Sequence, residues 1–187
     1  MSGSKLRAAT CADAEPLLAI YAPYVRDMAI TFEYEPPALE EFRNRIRKTL
    51  SAYPYLVVEG DEGVLGYAYA GPFKSRPAYG WAAETTVYVA ETARCAGAGR
   101  LLYETLLNIL MHQGVQNVYA CVTWPNESSI AFHQALGFQR VAHLSRCGYK
   151  LGQWWDSVWL QKFLGSHEIP PAPLRPITEV MAAFGLG

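Results

Sequence analysis

Between a Thr-, Val- and Tyr-rich stretch ending at Val89 and an amphipathic stretch beginning at Arg100, the chain runs Arg94-Cys95-Ala96-Gly97-Ala98-Gly99. Two spaced glycines let the backbone turn tightly and aim several N–H groups inward, and a helix that follows adds the positive end of its dipole. Set between a strand and a helix, such a run suits a phosphate group. A glycine pair before a helix is also often only a turn, so the neighbouring residues must decide. A dinucleotide fold would need Gly-x-Gly-x-x-Gly near the start of a βαβ unit, with an acidic residue about twenty positions on. The third glycine is absent here.

At 187 residues the chain is long enough for one domain with a substantial core. Hydrophobic residues make up 51% and charged residues 18%, and no apolar run approaches a membrane span, which is the balance of a soluble globular protein. Met1-Ser2-Gly3-Ser4-Lys5 lacks the pattern of a secretory signal, so the cytoplasm is the expected location. A net charge of -1 without a basic block predicts binding neither to nucleic acid nor to a membrane surface, and leaves a small molecule as the expected partner. Cys11, Cys95, Cys121 and Cys147 are scattered, with no Cys-x-x-Cys pair and no histidine at metal-ligand spacing, so reduced thiols and no metal site are expected. Cys95 precedes a helix N-terminus, which lowers a thiol pKa, but no adjacent base or resolving cysteine accompanies it.

Lys5 to Ala9 reads as a first strand, and Thr10 or Asp13 caps a helix carrying Leu17, Leu18, Ile20, Tyr21 and Tyr24 that fades near Asp27. Ala29 to Pro37, with its Pro-Pro pair, reads as an extended loop feeding a helix from Leu39 to Ser51. Tyr55 to Glu59 and Val64 to Phe73 form a hairpin about Gly60 to Gly63, and Ala83 to Val89 is another strand. Leu101, Leu102, Leu106, Leu107, Leu110 and Met111 form a core stripe on a helix ending at Gly114. Val118 to Val122 is a buried strand, Asn126 caps a helix that Gly137 stops, and Phe138 to Arg146 and Ser157 to Phe163 are the last strands. The proline-rich run Ile169 to Pro176 sustains neither helix nor central strand. A single domain over 1–165 is therefore expected, with 166–187 as a tail that wraps the surface or is disordered.

Several residues stand out chemically. Glu84 lies inside an otherwise apolar strand, where a carboxylate is expensive to bury unless it is ion-paired or useful. His133 projects to the same side of its helix as Ser129, one turn earlier, and is either packed or functional. Lys74, Arg76 and Tyr79 share a polar connection between two strands, and Phe32 on its loop is either a hydrophobic plug or a substrate contact.

Taken together, the strand, the Arg-x-x-Gly-x-Gly loop, the helix, the next strand, the Asn-capped helix and Ala135-Leu136-Gly137-Phe138 resemble the GNAT acetyltransferases. Within them, Ile20-Tyr21, Thr31-Phe32-Glu33, Tyr53-Pro54, Gly66 to Pro72, Ala83-Glu84, Thr86 to Val89 and Gly148-Tyr149-Lys150 resemble the phosphinothricin acetyltransferases, over about Leu6 to Phe163. The resemblance implies an α/β fold: a central mixed, mostly antiparallel twisted sheet with a splayed parallel strand pair, here 83–89 and 118–122, flanked by helices.

It also implies acetyl-CoA as co-substrate. Val87, Tyr88 and Val89 would hold the pantetheine through backbone groups, 94–99 with Arg100 would hold the pyrophosphate, and Asn126 and Ser129 would lie near the pantetheine arm. Glu84 falls on the family's catalytic carboxylate, the base that frees the amine lone pair, and His133 falls beside the acceptor as a second base or an acid for the departing thiolate. Phe32, Lys74, Arg76, Tyr79, Thr86 and Tyr88 fall on the acceptor pocket, with cations for the acid groups of phosphinothricin. Methionine sulfoximine or sulfone, arsinothricin or another amino acid are the alternative acceptors, and a non-catalytic acetyl-CoA-binding module is a remoter one. Relatives of this kind are commonly homodimers, so the resemblance implies a homodimer here. The loop departs from the family pattern in carrying uncharged Cys95 and Ala96, and Trp124 and Trp155 stand where smaller or different residues are usual.

Overall fold

The computed structural model describes residues 4–94 and 96–186. Its strands are β1 (Lys5–Ala8), β2 (Tyr55–Gly60), β3 (Gly63–Pro72), β4 (Ala82–Val89), β5 (Asn117–Trp124), β6 (Gln139–Lys150) and β7 (Gln153–Phe163). Its helices are α1 (Ala14–Arg26), α2 (Leu39–Leu50), α3 (Ala98–Gln113), α4 (Glu127–Ala135) and α5 (Ile177–Ala183). The strands form one sheet in the order β1-β2-β3-β4-β5-β7-β6, antiparallel at every junction except β4–β5. That parallel pair is short: Ala82, Ala83 and Glu84 face Asn117, Val118 and Tyr119, and the pairing goes no further. Each strand continues along its outer neighbour, β4 along β3 to Val89 and β5 along β7 to Trp124. The two inner edges therefore part just past Glu84.

Side chains alternate across a strand, so a sheet covered on both faces buries every position. β2 shows this. Tyr55 and Val57 join Leu17, Val25, Phe42 and Ile46 of α1 and α2, while Leu56 and Val58 join Leu102, Leu106 and Leu110 of α3 on the other face. Tyr55 stacks on Tyr69 with centroids 4.9 Å apart, joining β2 to β3, and Tyr88 packs against Tyr21 at 5.0 Å, tying α1 to β4. Thr10 and Asp13 together form a capping box just ahead of α1.

Four features differ from the sequence expectation. On α3, Leu102, Leu106, Leu107 and Leu110 are core, but Leu101 and Met111 are 37% and 45% exposed. At 3.6 residues per turn they fall outside the arc that Tyr103 and Ile109 complete. The last two strands are longer than expected and meet as a hairpin about Leu151-Gly152, with Gly148, Tyr149 and Lys150 paired to Trp155, Trp154 and Gln153. Strand pairing, which one strand's own sequence does not reveal, carries both past the expected ends. The third difference is in the tail, which lies along the surface as one of the two expectations had it but goes on to form a helix. Residues 169–176 form no helix or strand, but the backbone is held by Trp81 Nε1 donating to the Ala172 carbonyl (2.7 Å) and Arg175 N donating to the Gln113 carbonyl (2.8 Å). Beyond it α5 buries Ile177, Val180 and Met181 in the α3 core. The fourth is the placement of the polar connection, taken up with the site.

Candidate functional site

Two cavities open where β4 and β5 part. The smaller, about 280 Å³, is lined by Glu84, Thr86 and Tyr88 of β4, Cys121 and Thr123 of β5, His133 of α4 and the loop residues Ile30, Thr31 and Phe32. The larger, about 500 Å³, is lined by Val87 and Val89, by Arg94, Gly97, Gly99 and Arg100 around the start of α3, and by Tyr24 and Phe132. Ile30, Val87, Tyr88, Asn126 and Ser129 border both, so the two spaces are neighbours along one cleft.

Glu84 is half-buried, and among the described residues its carboxylate makes no hydrogen bond or ion pair. Burial raises its pKa above the ordinary glutamate value, and the charge of Lys74 pulls part of the way back. The Cys121 thiol is pushed up to about 11 by burial and by Glu84, which leaves it protonated at neutral pH. A carboxylate that is partly desolvated, unpaired and open to a cavity is a proton acceptor at the start of the splay.

His133 is placed differently. Its Nδ1 lies 2.7 Å from the Ser129 carbonyl and its Nε2 3.0 Å from the Tyr103 hydroxyl. Tyr103 in turn meets Thr85 Oγ1 at 2.6 Å, and Thr85 Oγ1 lies 3.1 Å from the Tyr119 carbonyl. Burial lowers the His133 pKa while the Ser129 carbonyl opposes it, so the ring is neutral at pH 7, with Nδ1–H donating and Nε2 accepting. The chain ends in a carbonyl on both sides. Four contacts then share the three protons of a neutral histidine, a phenol and a threonine, and both ring nitrogens are engaged inside the protein. Tyr103→Phe removes the shared hydroxyl, leaving Nε2 without its partner and Thr85 with the Tyr119 carbonyl alone, an expected loss of about 1–3 kcal/mol. A urea midpoint equal to that of the parent protein would show that the chain holds nothing together.

Residues 6–159 match the Acetyltransferase (GNAT) domain family. The chain belongs to the GNAT acetyltransferases. A phosphinothricin N-acetyltransferase of Streptomyces viridochromogenes is 37% identical over 177 residues, covering 94% of this chain and 96% of that one. An L-methionine sulfoximine/L-methionine sulfone acetyltransferase of Salmonella typhimurium is 33% identical over 125 residues, covering 67% and 73%. Among solved structures, a GNAT superfamily phosphinothricin acetyltransferase from Sinorhizobium meliloti in complex with AcCoA superposes with a TM-score of 0.86 at 32% identity, covering 94% and 97%.

In this GNAT acetyltransferase the residues expected at the cofactor divide. Val87, Tyr88, Val89, Arg94, Gly97, Gly99, Arg100, Asn126 and Ser129 border the larger cavity. Ala98 instead points into the α3 core at 3% exposure, Ala96 is exposed and outside the lining, and Cys95 lies outside the described residues. Gly97 caps α3 at φ 85°, a left-handed turn that a residue with Cβ adopts only at a cost. Asn126 Oδ1 accepts from the Ser129 N–H at 3.2 Å and opens α4. Tyr24 donates its hydroxyl to the Val89 carbonyl at 2.6 Å, and Arg94 lies over the Tyr24 ring at 5.4 Å.

The residues expected at the acceptor also divide. Phe32, Thr86 and Tyr88 line the smaller cavity with Glu84. Lys74, Arg76 and Tyr79 do not; all three are exposed on the connection between β3 and β4. Aromatic packing holds this connection to the side: the Lys74 ammonium sits 5.0 Å from the Phe73 ring and 5.6 Å from the Trp159 ring, and Tyr79 packs edge-on against Phe73. Lys74 stands outside the lining, and its charge reaches Glu84 and Cys121. Neither Trp124 nor Trp155 borders the smaller cavity. Ile30, Thr31, Cys121 and Thr123 do; Thr31 stands in a family motif without a role, and nothing local marks the other three, because a long chain excursion separates each from Glu84.

Proposed function

We propose that this enzyme transfers the acetyl group of acetyl-CoA to the α-amino group of phosphinothricin or a closely related amino-acid analogue such as methionine sulfoximine, with Glu84 as general base. The observation that carries the reading is the unpaired, half-buried Glu84 carboxylate in a small cavity that shares a wall with the larger one.

Three features of the chain fit acetyl-CoA in the larger cavity. The β4 edge past Glu84 is free of strand pairing on the β5 side, as an amide-bearing arm added alongside it requires. The left-handed turn at Gly97 and the first turn of α3 present backbone N–H groups, and Arg94 and Arg100 border the same space. Bound there, acetyl-CoA supplies the acetyl group as an activated thioester. Glu84 accepts the ammonium proton of the acceptor and so exposes the lone pair that attacks the thioester carbonyl; as the C–N bond forms the C–S bond breaks, and the CoA thiolate leaves with the second proton that the amine gives up. Phe32 and Ile30 give the acceptor an apolar wall, and Thr31, Thr86 and Thr123 supply hydroxyls. Lys74, whose charge reaches Glu84, serves the acid group of the acceptor from outside the lining, with Arg76 beyond it on the same connection. With both ring nitrogens engaged, His133 supports the site from behind.

A homodimer goes with the apolar residues that the β6–β7 hairpin leaves exposed, among them Leu144 at 46% and Trp154 at 61%. A cytoplasmic enzyme goes with the unbridged Cys11, Cys121 and Cys147, and no helix among the described residues is long and apolar enough to cross a membrane. Free-thiol release from acetyl-CoA, followed with phosphinothricin, methionine sulfoximine, arsinothricin and ordinary amino acids, tests the reading. Release is expected with one of the analogues. If every acceptor matched the no-acceptor control, the reading would be wrong.

A further inference from the structure

We propose that Gly148 and Lys150, at the end of β6, are specificity-determining positions that set the acceptor wall by holding Phe32 and Thr31 in place. The inference rests on the acetyl-transfer reading above. Residues 29–38 form no strand or helix, yet three of them line the cavity, so something other than a sheet ladder must hold this wall. β6 is an edge strand exposed along most of its length, and its only buried residues are Gly148 and Lys150. A register shift between Leu144 and Gly148 re-aims the end of the strand.

Both buried residues meet the loop. The Phe32 ring lies flat on the Gly148 backbone, so that a methyl group there would fall within 2.7 Å of three ring atoms. Lys150 is 2% exposed, and its ammonium donates to the Thr31 carbonyl at 2.6 Å with no carboxylate in contact among the described residues. Between them, the Tyr149 carbonyl accepts from the Tyr34 hydroxyl at 2.7 Å. Burying an ammonium whose hydrogen bond goes to one carbonyl, with the charge of Glu33 acting on it only from a distance, is expensive, and an apolar side chain would fill the space at lower cost. What the ammonium adds is direction: it ties one backbone oxygen, and the aromatic next to it, to a fixed point on the sheet.

Gly148→Ala therefore drives the Phe32 ring off β6 and toward the cavity it lines. The expected result is an acceptor KM raised about tenfold or more for phosphinothricin-sized acceptors, with the acetyl-CoA KM unchanged and smaller amino acids less affected. Lys150→Met and the exposed-site change Tyr34→Phe loosen the same wall and raise the acceptor KM alone. In a Phe32→Leu background, Gly148→Ala is expected to add almost nothing, since the clashing ring is gone. The proposal is overturned if Gly148→Ala leaves the acceptor KM unchanged, raises both KM values alike, or keeps its full effect beside Phe32→Leu. Should Gly148→Ala fail to fold, the acceptor KM of Tyr34→Phe decides, an unchanged value overturning the proposal. If the parent enzyme acetylates no acceptor, the acetyl-transfer reading fails. The crystal structure of the Gly148→Ala protein then decides the wall: a ring displaced into the cavity supports it, and a ring in its original place ends it.

Discussion

Glu84→Gln is expected to lower kcat by about 10²–10⁴-fold, the usual range for losing a positioned general base, while acetyl-CoA still binds as in the parent enzyme. The amide keeps the size of the side chain and cannot take the amine proton. The pH profile carries the same information. Burial raises the Glu84 pKa, and the carboxylate is basic only above that value, so kcat/KM falls on the acid side at a pH above the ordinary glutamate range. Gln at this position removes that limb. Lys74→Met takes away the charge that holds the pKa down, and the limb moves further up. Turnover by Glu84→Gln equal to that of the parent would remove Glu84 from the base role.

Val180→Asp is expected to cost about 3–5 kcal/mol, the scale of an unpaired charge left in a core, and to lower the melting temperature by about 10 °C for a chain of this size. Val180 is fully buried, and α5 packs its Ile177 and Met181 beside it against α3. Thr178→Asp, on the exposed side of the same helix, is the control, with little change expected. If both proteins melted alike, the C-terminal helix would not be part of the core. The effect on stability is expected to exceed that of Tyr103→Phe, because a charge without a partner is more costly than two neutral groups that lose one.

The parts of the fold that depend on neighbours in the chain were readable in advance. Glycines at 114 and 137 mark helix ends because the left-handed turn is local, and Asn126 marks a helix start for the same reason. α5 was missed because a short helix after a proline-rich run has no local signal strong enough to separate a docked segment from a loose one; its burial depends on the shape of α3. Leu101 and Met111 show the same limit on a smaller scale, since an apolar residue beside the stripe differs from one within it only by which face the sheet covers.

For the site, the residue types in the stretch from Glu84 to Gly99 pointed to a strand, a phosphate-sized turn and a helix, and the resemblance attached an activity to them. Alternation along β4 puts Glu84, Thr86 and Tyr88 on one side by local geometry alone. The sequence could not tell that Lys74, Arg76 and Tyr79 stand outside the cavity, that both nitrogens of His133 are already engaged, or that Lys150 reaches back to Thr31 across more than a hundred residues. By itself the sequence determined the order of strands and helices as far as β7, the turn before α3 and the carboxylate in β4, because these follow from backbone sterics and side-chain period. Only the tertiary structure decided where β4 and β5 part, what faces the opening and what holds its wall, because those depend on contacts between residues far apart in the chain, each set by packing that local sequence does not encode.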